Sequence, residues 1–178
     1  LTIQNAAGLD FSVLPQLTSL WTLDLSGSTL PTSALEGIGT LPELQKLVLE
    51  GCAVTSINPL VGLSNLTYLD LTNNSVSDLT AITALTGITD LYLTNNPVKS
   101  ITYLNSLLAL ERLHIENCGV SRLTSIAGNT SIQELYASNN EISDISVLSD
   151  CVSLSILDIS NNQVKDVSVI AQLPALTY

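Results

Sequence analysis

Leu66-Thr67-Tyr68-Leu69-Asp70-Leu71-Thr72-Asn73-Asn74-Ser75-Val76 is the stretch that decides how this chain folds. It reads LxxLxLxxNxV, and the wording returns at 88–98 (ITDLYLTNNPV) and at 154–164 (LSILDISNNQV). Working outward, the leading leucines fall at 1, 23, 47, 69, 91, 113, 135 and 157. Every step is 22 residues except the 24 between Leu23 and Leu47. Leu69 and Leu71 are two apart, so a strand turns both inward while Tyr68, Asp70 and Thr72 face out. Asn74 follows at the turn, where its amide can satisfy backbone groups that no regular ladder pairs. Asn96, Asn140 and Asn162 repeat that slot, and Ser28, Cys52 and Cys118 fill it elsewhere.

The return limb is equally regular. Val76, Leu79, Ile82, Leu85, Ile88 and Leu91 are each three apart, which suits short 3₁₀ turns better than a long α-helix. Strand, turn and return limb then repeat, with parallel strands and right-handed crossovers. The expected fold is an α/β solenoid of about eight repeats. It is a right-handed horseshoe with a parallel sheet on the concave side and a mostly 3₁₀ or irregular convex side.

The pattern resembles the leucine-rich repeat. Its 22-residue period and the wording NNSVSDLTAI and NNEISDISVL resemble the repeats of the bacterial internalins. The regulatory subunit of type-1 protein phosphatase shares this repeat class. The resemblance runs from Leu1 to Tyr178 and implies a concave face that binds a protein partner.

Composition bounds the rest. The 178 residues are 46% hydrophobic and only 12% charged, a balance opposite to that of disordered chains. No apolar run approaches the ~18 residues of a membrane span, so no membrane insertion by this segment is expected. Sixteen acidic and five basic residues give a net charge of −11. Phosphate binding needs clustered Lys and Arg, so nucleic acid is not an expected partner. A protein partner with a basic or neutral surface suits the charge better. There is no Met and no signal-like opening, and Leu1 and Tyr178 both fall mid-repeat. These features read as a single domain over residues 1–178, uncapped, and an interior piece of a longer protein.

Three departures carry expectations of their own. The two extra residues fall in Pro31–Thr40 and should lengthen the convex limb into a helical turn. In the sixth copy Asn129 replaces an inward leucine and Ala137 the second strand leucine. Repacking around a bound water is expected there, and leucine at both positions should stabilise the chain. Cys52 and Cys118 lie three turns apart, ~14 Å at the strand spacing, too far for a disulfide. Cys151 takes a return-limb leucine slot. Three free, buried thiols are expected, with no zinc site and no other cofactor. A calcium site would need carboxylates converging on one point, and none is expected. The Asn-x-Ser/Thr matches at Asn65, Asn73 and Asn129 are what a chain this rich in Asn, Ser and Thr produces by chance.

The register converts the sequence into a surface map. One outward column reads Thr22, Lys46, Tyr68, Asp90, Arg112, Glu134, Ile156, the next includes Asp24, Asp70, Tyr92, His114, Tyr136, Asp158, and the third includes Glu50, Thr72, Thr94, Glu116, Ser138, Ser160. Tyr68, Tyr92, His114 and Tyr136 should form an aromatic band, with Asp90, Arg112 and Glu134 as an alternating charge ladder beside it. Tyr and Arg are enriched at interface hot spots. Candidate protein-binding residues are therefore Tyr68, Asp70, Asp90, Tyr92, Arg112, His114, Glu116, Glu134, Tyr136 and Asp158. His114, the one histidine, lacks the nucleophile and pocket that catalysis requires, so no enzyme is expected. The expected function is a non-enzymatic binding module of a bacterial surface or secreted protein. The alternatives are a cytoplasmic regulatory or scaffold subunit of the phosphatase-regulator type, or a structural spacer.

Overall fold

All residues from 1 to 178 are described by the structure, a computed structural model. Seven three-residue strands carry the concave side: β1 (Thr22–Asp24), β2 (Lys46–Val48), β3 (Tyr68–Asp70), β4 (Asp90–Tyr92), β5 (Arg112–His114), β6 (Glu134–Tyr136) and β7 (Ile156–Asp158). They form one parallel sheet in sequence order. The register places each residue beside its equivalent one repeat on, so Tyr68 pairs with Asp90 and Asp70 with Tyr92. Leu1 was expected to open an eighth strand. It is instead 47% exposed, and Thr2 makes one isolated bridge to Asp24.

The inward leucines stack into one continuous apolar core of 48 buried residues. Leu23, Leu47, Leu69, Leu91, Leu113 and Leu135 are wholly inaccessible, while Leu157, in β7 at the edge of the sheet, is only half-buried. The convex limb is made of short 3₁₀ segments, among them Asn58–Gly62, Thr80–Ala84, Thr102–Ser106 and Ser146–Asp150. An Asx or serine turn opens most of them: Asp78 accepts from the Thr80 N–H, Ser100 from Thr102, Asp144 from Ser146 and Asp166 from Ser168. Arg122 occupies that slot in the fifth copy and has no acceptor to offer. The 3₁₀ segment there, Thr124–Ile126, is three residues long rather than five. The insertion forms α1 (Thr32–Ile38), a true α-helix with Pro31 at its N-cap. Its inner face buries Ala34, Leu35 and Ile38.

The two turn residues after each strand, most often both asparagine, perform different work. The first, at 73, 95, 117, 139 and 161, adopts a left-handed backbone with φ between 53° and 59°. Asparagine tolerates this region better than most residues, and Gly27 and Gly51 fill the same slot with φ near +70° and +64°. The second asparagine points inward and replaces missing ladder bonds. Asn96, 2% exposed, donates to the carbonyls of Leu71 and Leu93 and accepts from the Val76 N–H. Cys52 and Cys118 keep only the donor half of this role, each thiol lying 3.1 Å from a strand carbonyl. All three cysteines are free and buried, and burial pushes the Cys118 and Cys151 thiols up to about 11.

The sixth copy departs from expectation at Asn129. Its amide donates to the Leu107 carbonyl at 3.0 Å, and its oxygen accepts from the Ser131 N–H at 2.9 Å. The buried amide is thus satisfied by main chain, and no bridging water has to be invoked. Leucine at this position would leave the Ser131 N–H unpaired. Asn129→Leu should therefore lower stability by about 1 kcal/mol rather than raise it, measured by urea unfolding. Ala137 is wholly buried, and its carbonyl accepts from both Asn140 and Asn162.

Candidate protein-binding face

The alternation that buries the strand leucines leaves the intervening side chains on one open surface. Parallel register then sets like-numbered slots side by side, so the outward columns of the sequence become physical rows. Nine of the ten candidate residues are half-buried, and Asp90 is buried at 7% exposure.

The aromatic band exists as one continuous stack. Tyr68 and Tyr92 have ring centroids 5.1 Å apart and tilted by 35°. Tyr92 and His114 are stacked at 4.4 Å, and His114 and Tyr136 at 4.3 Å. These spacings lie at or just below the short end of ordinary aromatic pairing. Lys46 extends the stack, its Nζ 3.9 Å from the Tyr68 ring centroid. Lys46 was legible as a neighbour in the column, but not as a cation lying over that ring. Burial raises the phenol pKa of Tyr68 and of Tyr92, and both remain neutral donors in the ordinary range of pH.

Electrostatics divide the charged residues into partnered and free. Arg112 Nε pairs with Asp90 Oδ1, and Arg112 Nη1 lies 3.7 Å from Glu111. The Thr89 hydroxyl gives Asp90 its second partner at 2.7 Å. The expected ladder Asp90–Arg112–Glu134 is therefore incomplete. The single guanidinium engages Asp90 and Glu111, and Glu134 makes no ion pair. Asp70 and Asp158 each accept the N–H two residues on, from Thr72 and Ser160.

Glu116 accepts from Thr94 at 2.7 Å and meets His114 Nδ1 at 3.2 Å. Burial works against its charged form, but the hydrogen bonds from His114 and Thr94 outweigh it and hold the carboxyl below its usual 4.5. A carboxyl lowered on folding contributes stability above its unfolded pKa, and loses it as pH falls through the folded value. His114→Phe keeps an aromatic ring in the stack but removes one of these bonds. The Glu116 carboxyl should then titrate at higher pH, read from its ¹³C NMR shift. An unchanged midpoint would mean that Thr94 alone holds it.

A second row, not anticipated from the sequence, flanks this face. The exposed amides of Asn73, Asn95 and Asn117 are chained by hydrogen bonds of 2.7 and 2.9 Å, and Asn161 donates to Asn139 at 3.0 Å. Their common left-handed backbone aligns the side chains one repeat apart. The signal was present as the Asn recurring at 73, 95, 117, 139 and 161. A cleft of about 520 Å³ lies elsewhere, lined by Arg122, Glu141, Asp144 and neighbouring hydroxyls, and holds none of the ten candidates. No group of three or more His, Cys, Asp or Glu side chains comes together as a metal site. No helix is long and apolar enough to cross a membrane.

Comparison with known proteins places this architecture. A family described as "Leucine Rich repeats (2 copies)" matches residues 42–84 and 130–177. Internalin C2 of Listeria monocytogenes is 30% identical with a TM-score of 0.94, covering 98% of this chain and 76% of its own. A second internalin of that organism, inlF, is 29% identical with a TM-score of 0.89 over 94% of this chain, which spans 49% of its length. A leucine-rich repeat protein of Leptospira interrogans, 22% identical with a TM-score of 0.70 over 92% of this chain and 49% of its own, shares the fold. No curated protein sequence matches the chain. Proteins of this repeat type are non-enzymatic scaffolds for protein interaction. The chain belongs to the leucine-rich repeat family, with repeats of the internalin type.

Proposed function

We propose that this chain is the partner-binding portion of a bacterial surface or secreted protein and engages another protein through its concave face. The observation that carries this reading is the unbroken stack Tyr68–Tyr92–His114–Tyr136 across four adjacent strands. Rings locked against one another have little side-chain entropy left to lose when a partner orders them, which favours them as anchors. Asp70, Asp90, Arg112, Glu116, Glu134 and Asp158 surround the stack. With the acidic excess of this face they favour a partner of basic or neutral surface. Export is supported by the likeness to internalin C2.

The test is partner capture by the intact chain and by two variants. One carries Tyr92→Ala, Glu134→Lys and Tyr136→Ala; the other, a convex control, carries Ser64→Lys and Thr86→Lys. Arg112 is left in place because its removal strands Asp90. The concave variant should lose binding while its circular dichroism is retained, and the control should bind normally. Equal retention by both variants would remove the concave assignment.

A further inference from the structure

The concave stack is capped at one end and open at the other. At the first end Lys46 lies over Tyr68. Tyr68 then lies tilted against one side of Tyr92, and stacking occupies the other face of Tyr92, both faces of His114 and the inner face of Tyr136. No ring of this chain stacks on the outer face of Tyr136 and no cation lies over it; the Tyr178 phenol is within electrostatic range of Tyr136 but is not stacked on it. Asp158 is its register neighbour on β7, and Glu134 is two residues back on the same face of β6. Neither makes an ion pair. The chain holds five Lys and Arg, and only Lys46 and Arg112 stand on the two strand columns. Arg112 is committed to Asp90. The open end therefore joins a free tyrosine face to two carboxylates without a counter-charge.

We infer that the outer face of Tyr136, between Glu134 and Asp158, is a seat for an arginine side chain of the protein partner. This rests on the reading of the concave face as the binding surface. The chemistry is complementary on two counts. A planar guanidinium lies flat on a tyrosine ring, drawn by the ring quadrupole. Its N–H groups diverge in plane and can donate to carboxylates on either side. Lys46 over Tyr68 is the same ring-and-cation arrangement made within the chain at the other end. A ligand that only stacked on the ring would have no use for the flanking charges, which separates the two chemistries experimentally.

The probe is the short peptide acetyl-Gly-Arg-Gly-amide, with its citrulline counterpart as a neutral control of equal shape. Titration into the chain is followed by NMR of the tyrosine ring signals. The arginine peptide should give saturable shifts at Tyr136 and His114, weakened by salt, and the citrulline peptide should give none. Tyr136→Phe should retain the affinity. Tyr136→Leu, which keeps apolar bulk without the ring, should lose at least about threefold. Glu134→Gln with Asp158→Asn should also lose about threefold or more. Equal response to citrulline, no saturable shift at Tyr136, or unchanged binding by Tyr136→Leu would each overturn the seat. These outcomes leave the concave assignment to stand or fall on the capture experiment. Failure of capture with a positive peptide result would instead discard the face as the partner's surface and overturn the seat's proposed role.

Discussion

Asn74→Ala should cost about 3–5 kcal/mol of stability, among the largest losses any single polar substitution in this chain can produce. The side chain makes five hydrogen bonds: its oxygen accepts from the N–H groups of Cys52 and Val54, and its nitrogen donates to the carbonyls of Leu49, Leu71 and Thr72. Alanine leaves two buried N–H groups without acceptors, at ~1–3 kcal/mol each, and removes donors from carbonyls that face the core. The order of three variants makes the test specific. Asn74→Cys should fall between asparagine and alanine, because the thiols at 52 and 118 still donate to a strand carbonyl in this slot. A sulfur acceptor is weak, so the two N–H groups stay poorly served. Urea unfolding measures all three. A loss below about 1 kcal/mol for alanine would mean that the N–H groups find other partners, and that the ladder is not what holds the turns together.

Arg112→Ala should cost about 2 kcal/mol for a different reason. Asp90 is 7% exposed and takes its only cationic partner from Arg112. Removing one member of a buried pair costs ~3–5 kcal/mol because the survivor is an uncompensated charge. The outer part of Arg112 remains in water, with its side chain 35% exposed, so the effect here is smaller. Adding Asp90→Asn to Arg112→Ala should restore more than half of the loss, since the stranded charge is gone and the Thr89 hydroxyl still has an acceptor. If the double variant is as unstable as the sum of the singles, the pair is uncoupled and Arg112 acts through packing of its stem.

These two residues mark where sequence reading succeeded and where it stopped. Asn74 was placed correctly, at the turn and bonded to backbone, by its spacing from Leu69 and Leu71. Arg112 was placed in the correct column beside Asp90 and Glu134, yet its partners were Asp90 and Glu111. The inward set was read from period alone, and so was the 3₁₀ return limb. The insertion at 31–40 likewise appeared as the helix Thr32–Ile38. At Asn129 the sequence showed a polar residue in an apolar slot but not the carbonyl of Leu107 that satisfies it.

By itself, the sequence determined the path of the chain and the neighbours of every outward residue. In a solenoid each repeat touches only the repeats beside it, so spatial adjacency follows the repeat step, 22 residues everywhere except the one 24-residue step, and can be counted. Only the tertiary structure decided what those neighbours do with each other: that the rings of Tyr92, His114 and Tyr136 stack, that Lys46 covers Tyr68, and that Glu134 and Asp158 are left without a cation. Those outcomes depend on side-chain torsions, which choose among several staggered positions according to all the surrounding atoms, and no spacing along the chain encodes that choice.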